Sequence, residues 1–179
     1  PNSLAMKQTF TLVFLCLMTL HLSAQNHLFI PFGQSEEDVK QYLQTRDYIV
    51  QVVEDKEVHS LRAEIDQHKH VEYAFDDGAL YATTVTRAYE TRRTAQSVLK
   101  NCLNYLRSIS RADINETTSD NVTVYTTATE HRIIKLFVTS HKRGQTLSLT
   151  SVSRHYGPMD QEQDFMYEVE LLQRKFISN

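Results

Sequence analysis

The chain changes period twice. From Ser35 onward the apolar residues Val39, Tyr42 and Leu43 fall three and four positions apart, which predicts a short helix over Glu36–Gln44. Ser35 is a good cap for it. Glu36, Glu37 and Asp38 place negative charge in the first turn, where the helix dipole favours it. The period then drops to two. Residues 47–53 are rich in Tyr, Ile and Val. In 58–65, Leu61, Ala63 and Ile65 alternate with Arg62 and Glu64. In 68–75, Val71, Tyr73 and Phe75 alternate with His70, Glu72 and Ala74, and 80–87 returns after the turn signal Asp76-Asp77-Gly78. These four segments predict a meander of strands.

The second half repeats this grammar. Residues 91–109 give the strongest helical pattern in the chain, with Ala95, Val98, Leu99, Cys102, Tyr105, Leu106 and Ile109 on one face. A polar loop is expected over 113–120. Three strands are expected over Val122–Ala128, Arg132–Ser140 and Gln145–Ser153, and after Gly157-Pro158 a closing helix over 160–176, with Phe165, Met166, Val169, Leu172 and Phe176 on its apolar side. The predicted order is α-ββββ-α-βββ-α. Runs of meander strands argue for an α+β fold, an antiparallel sheet with its helices packed on one face, formed as one continuous sheet or as two sharing a core. No linker rich in Pro, Gly or Ser separates the halves, about 34–88 and 89–156, so 26–179 is expected to be a single domain.

The N-terminal pattern is of a different kind. In MKQTFTLVFLCLMTLHLSAQN, residues 6–26, one cation is followed by an apolar stretch over 10–22 and then by small and polar residues. That order is expected of a secretory signal over 1–25, cleaved near Gln25, with Pro1 to Ala5 as non-native leading residues. The apolar stretch holds Thr11, Thr19 and His21 and is short for a spanning helix, which needs roughly 20 apolar residues. Cys16 is embedded between Leu15 and Leu17, away from the position a lipidation cysteine takes. The ending LSAQ-N resembles signals of Gram-negative exported proteins. Localisation in the periplasm or outside the cell is therefore expected, with no integral membrane span in the mature chain.

Export changes the reading of charge and cysteine. Loss of Lys7 leaves 18 basic against 22 acidic residues, a mild acidity that argues against nucleic acid as a partner. Only Cys102 would remain, so no internal disulfide is available and packing must supply the stability. The sequons at Asn115 and Asn121 matter only in a eukaryotic host.

Candidate chemistry is thin. The four glycines, Gly33, Gly78, Gly144 and Gly157, are scattered, so no phosphate-cradling loop forms. No serine is flanked by glycines, and no paired cysteines or His-Glu-x-x-His motif offers zinc ligands. The best metal candidate is HKHVE: on a strand, His68, His70 and Glu72 share one face. The same alternation is also what the wet side of a half-buried strand looks like. Cys102 lies in an apolar stripe, and its spacing to His131, His141 or His155 suggests no catalytic pair. Asp76 and Asp77 occupy a turn, where aspartate is common for structural reasons. The strand tyrosines and the threonines Thr83, Thr84, Thr86, Thr123, Thr126 and Thr127 suit either a solvated sheet face or a binding surface. No catalytic, cofactor or metal residue is assigned, and no enzyme activity is expected.

Phe32-Gly33-x-Ser35, then Val39 and Leu43, followed by a β-meander, resembles the helix-plus-meander module of exported bacterial proteins. That module occurs in outer-membrane assembly lipoproteins of the SmpA/OmlA type and, as a tandem pair, in β-lactamase inhibitor protein. The resemblance implies a non-catalytic module that offers a sheet face or loops to another protein. Gln44-Thr45-Arg46-Asp47 departs from it by lacking the usual glycine and proline, and the lipid-anchoring cysteine is absent. The expected role is an exported binding or structural protein of the cell envelope, whose partner is a protein or another envelope component. The alternatives are a carrier of small apolar ligands and a hydrolase.

Overall fold

The computed structural model describes residues 28, 30–55, 58–110, 113–129 and 132–154. The elements are α1 (Glu36–Gln44), β1 (Ile49–Asp55), β2 (Val58–Asp66), β3 (Lys69–Asp76), β4 (Ala79–Tyr89), α2 (Arg92–Ile109), β5 (Asn115–Ser119), β6 (Val122–Ala128), β7 (Arg132–Ser140) and β8 (Gln145–Ser153). The eight strands form one antiparallel sheet in the order β1-β2-β3-β4-β8-β7-β6-β5. The fold is α+β, with one continuous sheet rather than two.

Each half is a helix followed or preceded by nothing but meander: α1 leads into β1 to β4, and α2 into β5 to β8. The halves join through their last strands, with Val85 opposite Leu149 in the β4–β8 ladder. A rotation by half a turn about the sheet normal therefore relates their topologies, and it leaves both helices on the same face.

The helices start where the sequence places them. The Ser35 hydroxyl accepts a bond from the Asp38 N–H and donates to its carboxylate at 2.6 Å, so the cap holds both ends of the first turn. Thr91 caps α2 in the same manner by accepting from the Thr94 N–H. Val39 and Leu43 of α1, and Ala95, Cys102 and Leu106 of α2, are buried against one face of the sheet. That face supplies Leu61, Ala63, Val71, Tyr73, Val85, Ile134, Leu136, Leu147 and Leu149, so a single core runs under both helices. Burying a side chain of this size stabilises by roughly 1.5–3 kcal/mol, which makes this layer the main source of stability. Tyr73 is fully enclosed and donates its hydroxyl hydrogen to the Leu28 carbonyl at 2.6 Å, pinning the segment that leads into α1.

Three expectations change. The polar loop predicted over 113–120 contains a strand, β5, which pairs with β6 at the edge of the sheet. All five of its residues are exposed, so it has no apolar alternation to betray it. The second meander thus has four strands rather than three. The first strand starts at Ile49 rather than at 47, because Asp47 takes a left-handed turn conformation (φ 62°) that closes α1. The predicted signal segment, the closing helix over 160–176, and His131 and His155 lie outside the described residues.

Candidate functional site

Strand alternation sends one set of side chains under the helices and the other to the opposite face. No described helix packs on that second face. Register across the strands arranges its residues in rows. A central row reads Gln51, Arg62, Glu72, Thr84, Thr150, Lys135, Thr126 and Asn115, from β1 to β5. The row on one side of it reads Ile49, Glu64, His70, Thr86, Ser148, Phe137, Val124 and Thr117.

One charged group stands out. The Arg62 guanidinium grips the Glu72 carboxylate with Nε at 2.8 Å and with Nη2, on neighbouring strands and directly opposite. His70 Nε2 lies 3.8 Å from the same carboxylate oxygen. Burial holds the His70 imidazole below its ordinary pKa, and the Arg62 charge adds to the effect, against the pull of Glu72 and Glu64 in the other direction. The imidazole is thus biased to neutrality, and Glu72 is already neutralised by arginine.

The HKHVE cluster is only partly assembled. His70 and Glu72 share a face as expected. His68 instead sits in the β2–β3 turn, its backbone N–H donating to Asp66 Oδ1 at 2.7 Å and its ring beside the Gln67 amide at 3.0 Å. Among the described residues no group of three or more His, Cys, Asp or Glu side chains gathers around one point. Cys102 is 4% exposed, and burial pushes its thiol up to about 12, far from the thiolate that nucleophilic attack requires. His141 lies in the β7–β8 turn, its ring 3.0 Å from the Thr146 hydroxyl. Asp77 and Gly78 both take left-handed conformations in the β3–β4 hairpin, so this acidic pair does turn work.

The middle of the face is hydroxyl-rich. Thr84 meets Thr150, and Thr86 donates to Ser148, each at 2.9 Å across the join of the two halves. The arginine grip and the hydroxyl ladder escaped the sequence reading because both depend on which strands become neighbours. Alternation already placed Arg62, Glu72, Thr84 and Thr86 on the wet side. It carried no signal that β8 would arrive beside β4.

Among the described residues this architecture is α+β, with one sheet face covered by two helices and the other bearing none. No family model, no curated protein and no solved structure matches the chain.

Proposed function

We propose that this chain is an exported, non-enzymatic protein of the bacterial cell envelope that binds another macromolecule through the uncovered face of its sheet. The observation that carries the reading is the contrast between the faces. One is sealed by two helices over a continuous core; the other carries a central band of threonine, serine and charged groups flanked by apolar positions such as Ile133 and Val152. Such a surface offers hydroxyl donors and acceptors on rigid strands, with Phe137 and the Arg62–Glu72 pair available as anchors. Two helix-plus-meander halves in tandem support the likeness to exported binding modules, and residues 6–26 support export.

A carrier of small apolar ligands would need room between helices and sheet. In that layer Tyr73, Leu43, Leu61, Leu106, Leu136 and Leu149 are each under 2% exposed, so they occupy the space a ligand would take. A hydrolase would need a competent base and nucleophile. Glu72 is held by arginine and Cys102 is a buried thiol, which favours binding over catalysis.

The test places a photoreactive amino acid at Thr150 on the uncovered face or at Lys100 on the exposed side of α2, in separate proteins, and irradiates each in envelope extract. A discrete adduct from position 150 that is missing from position 100 is the expected result. Equal labelling from both positions, or none from 150, overturns the reading.

A further inference from the structure

The two edges of the sheet are built differently. At one end stands β5, five residues long, all exposed and none apolar. A short, polar edge of this kind discourages pairing with a foreign strand. At the other end stands β1, seven residues long, in which Ile49, Val50, Val52 and Val53 are apolar. Among the described residues the exposed large hydrophobics are Ile49 at 69%, Val52 at 50% and Val58 at 39%, and all three belong to the β1–β2 hairpin. Ile49 points to the uncovered face and Val52 to the helix side. Val52 stands opposite Leu61, which is fully buried, so the cover that the helices give ends between β2 and β1 at this level. Among the described residues no strand pairs with the outer edge of β1. That edge therefore offers backbone donors and acceptors with exposed apolar side chains above and below them.

The order of residues along β1 points to what pairs there. Ile49-Val50-Gln51-Val52-Val53 reads apolar, apolar, Gln, apolar, apolar in either direction. A neighbour related by a two-fold axis presents the same strand reversed, so a pattern that survives reversal matches a copy of itself. We infer that two copies of this chain pair β1 against β1, antiparallel, with the two-fold axis normal to the sheet between their Gln51 residues. Ile49 of each copy then stands opposite Val53 of the other on the uncovered face, and Val50 opposite Val52 on the helix side. Both of the most exposed apolar groups gain an apolar neighbour, and the two Gln51 side chains meet amide to amide at the axis. Moving the axis to Val52 instead sets Ile49 against Asp55 and Val50 against Glu54. Beyond the paired residues, Glu54 and Asp55 of each copy run toward the turn before β1 of the other, which carries the exposed Arg46 beside Asp47. The two sheets become one, with all helices on the same face. Each copy uses the same edge, and β5 is blunt, so the assembly closes at two copies rather than growing into a filament. So few residues bury less than the roughly 1,200 Å² of a standard interface, so association is reversible. It uses the edge of the sheet and not its uncovered face, so it stands or falls separately from the partner proposed above.

Sedimentation velocity of the purified full chain is expected to show a monomer giving way to a dimer over about a hundredfold rise in concentration. Ile49→Lys combined with Val52→Lys, both at exposed positions, removes the apolar contact on both faces and charges the edge. The pair is expected to weaken association by about tenfold or more while the denaturation midpoint stays where it was. A chain that remains monomeric across that range overturns the inference, as does a dimer that the two lysines leave intact. A second arm reads the register without touching the apolar residues. Under mild oxidation Gln51→Cys is expected to give a disulfide between position 51 of two copies, identified from the linked peptides so that Cys16 and Cys102 are counted separately. Glu116→Cys, on the β5 edge, is expected to give none at the same concentration. Equal cross-linking at the two edges, or none at position 51, overturns the inference.

Discussion

Thr84 and Thr150 share a hydrogen bond of 2.9 Å between hydroxyls that are 66 residues apart in sequence, at the line where the two halves of the sheet join. Both are partly buried, so each satisfies the other in a place that water reaches poorly. Thr84→Val alone leaves Thr150 without this partner and is expected to cost about 1 kcal/mol, whereas replacing both by valine is expected to be nearly neutral. Urea denaturation of the two single variants and the double variant gives the coupling. Additive losses would mean that the hydroxyls do not depend on one another.

Two buried tyrosines are expected to behave in opposite ways. Tyr73 donates to the Leu28 carbonyl, and Tyr73→Phe leaves that carbonyl unsatisfied at a cost of about 1–2 kcal/mol. The Tyr89 hydroxyl is buried and has no hydrogen-bond partner among the described residues, so Tyr89→Phe is expected to be neutral or stabilising. Thermal melts of both variants, compared with the parent, decide it.

Glycine is required at position 144 for a reason unlike that at 78. A Cβ at Gly144 would meet the Tyr89 carbonyl oxygen at 2.0 Å, a backbone atom that cannot swing aside. Gly144→Ala is expected to lose about 3 kcal/mol by forcing the β7–β8 turn away from the end of β4. At Gly78 nothing lies within 4 Å, and only the left-handed conformation (φ 76°) resists a side chain. Gly78→Ala is expected to lose about 1 kcal/mol, and Gly78→Asn less, because asparagine tolerates that conformation. Denaturation midpoints are expected to fall in the order parent, Gly78→Asn, Gly78→Ala, Gly144→Ala.

His70 makes stability depend on pH. Its pKa is lower in the folded chain than the ordinary 6.5, chiefly through burial. The unfolded chain therefore binds the proton more readily, and this contribution is present above pH 6.5 and lost as pH falls through the folded value. His70→Gln is expected to flatten the fall in melting temperature between about pH 7 and 5. An NMR titration placing His70 at or above 6.5 would remove the basis for this.

Cys102 and the buried tyrosines act at the other end of the scale. The thiol moves from 9.0 to about 12 on folding, so the stability it lends is full below pH 9 and is lost as pH rises toward 12. The folded protein is expected to resist thiol reagents at Cys102 at about pH 8 and to react promptly in urea. Cys102→Ser places a hydroxyl in an apolar site and is expected to cost about 1–3 kcal/mol.

Much of the fold was legible because its signals are local. Ser35 and Thr91 mark the starts of both helices, and the apolar stripes ending at Leu43 and Ile109 set their lengths. The strands with one buried face announced themselves by alternation, as in Val71, Tyr73 and Phe75. β5 stayed hidden because an edge strand exposed on both faces has no apolar alternation; only Thr117 and Thr118 carry strand propensity. The site was legible in half-measure. Alternation told which residues face away from the helices, but not that Arg62 would neutralise Glu72, nor that His68 would fall in the turn. Those outcomes depend on hairpin register, which shifts at a bulge between Glu64 and Asp66.

The join between β4 and β8 also sets an order of events. As the chain emerges from its N-terminal end, β1 to β4 can pair at once, but β4 keeps an open edge until the last described strand arrives. That edge includes Val85 and Thr83, in a stretch with strong strand propensity and little charge, which is the kind of surface that pairs with a stranger. Closing it requires a contact between residues 66 apart, as at Thr84 and Thr150, and such long-range pairings form slowly. Completion of the sheet therefore waits for β8, the last of the described strands. In that interval the open edge of β4 depends on whatever keeps strand edges apart.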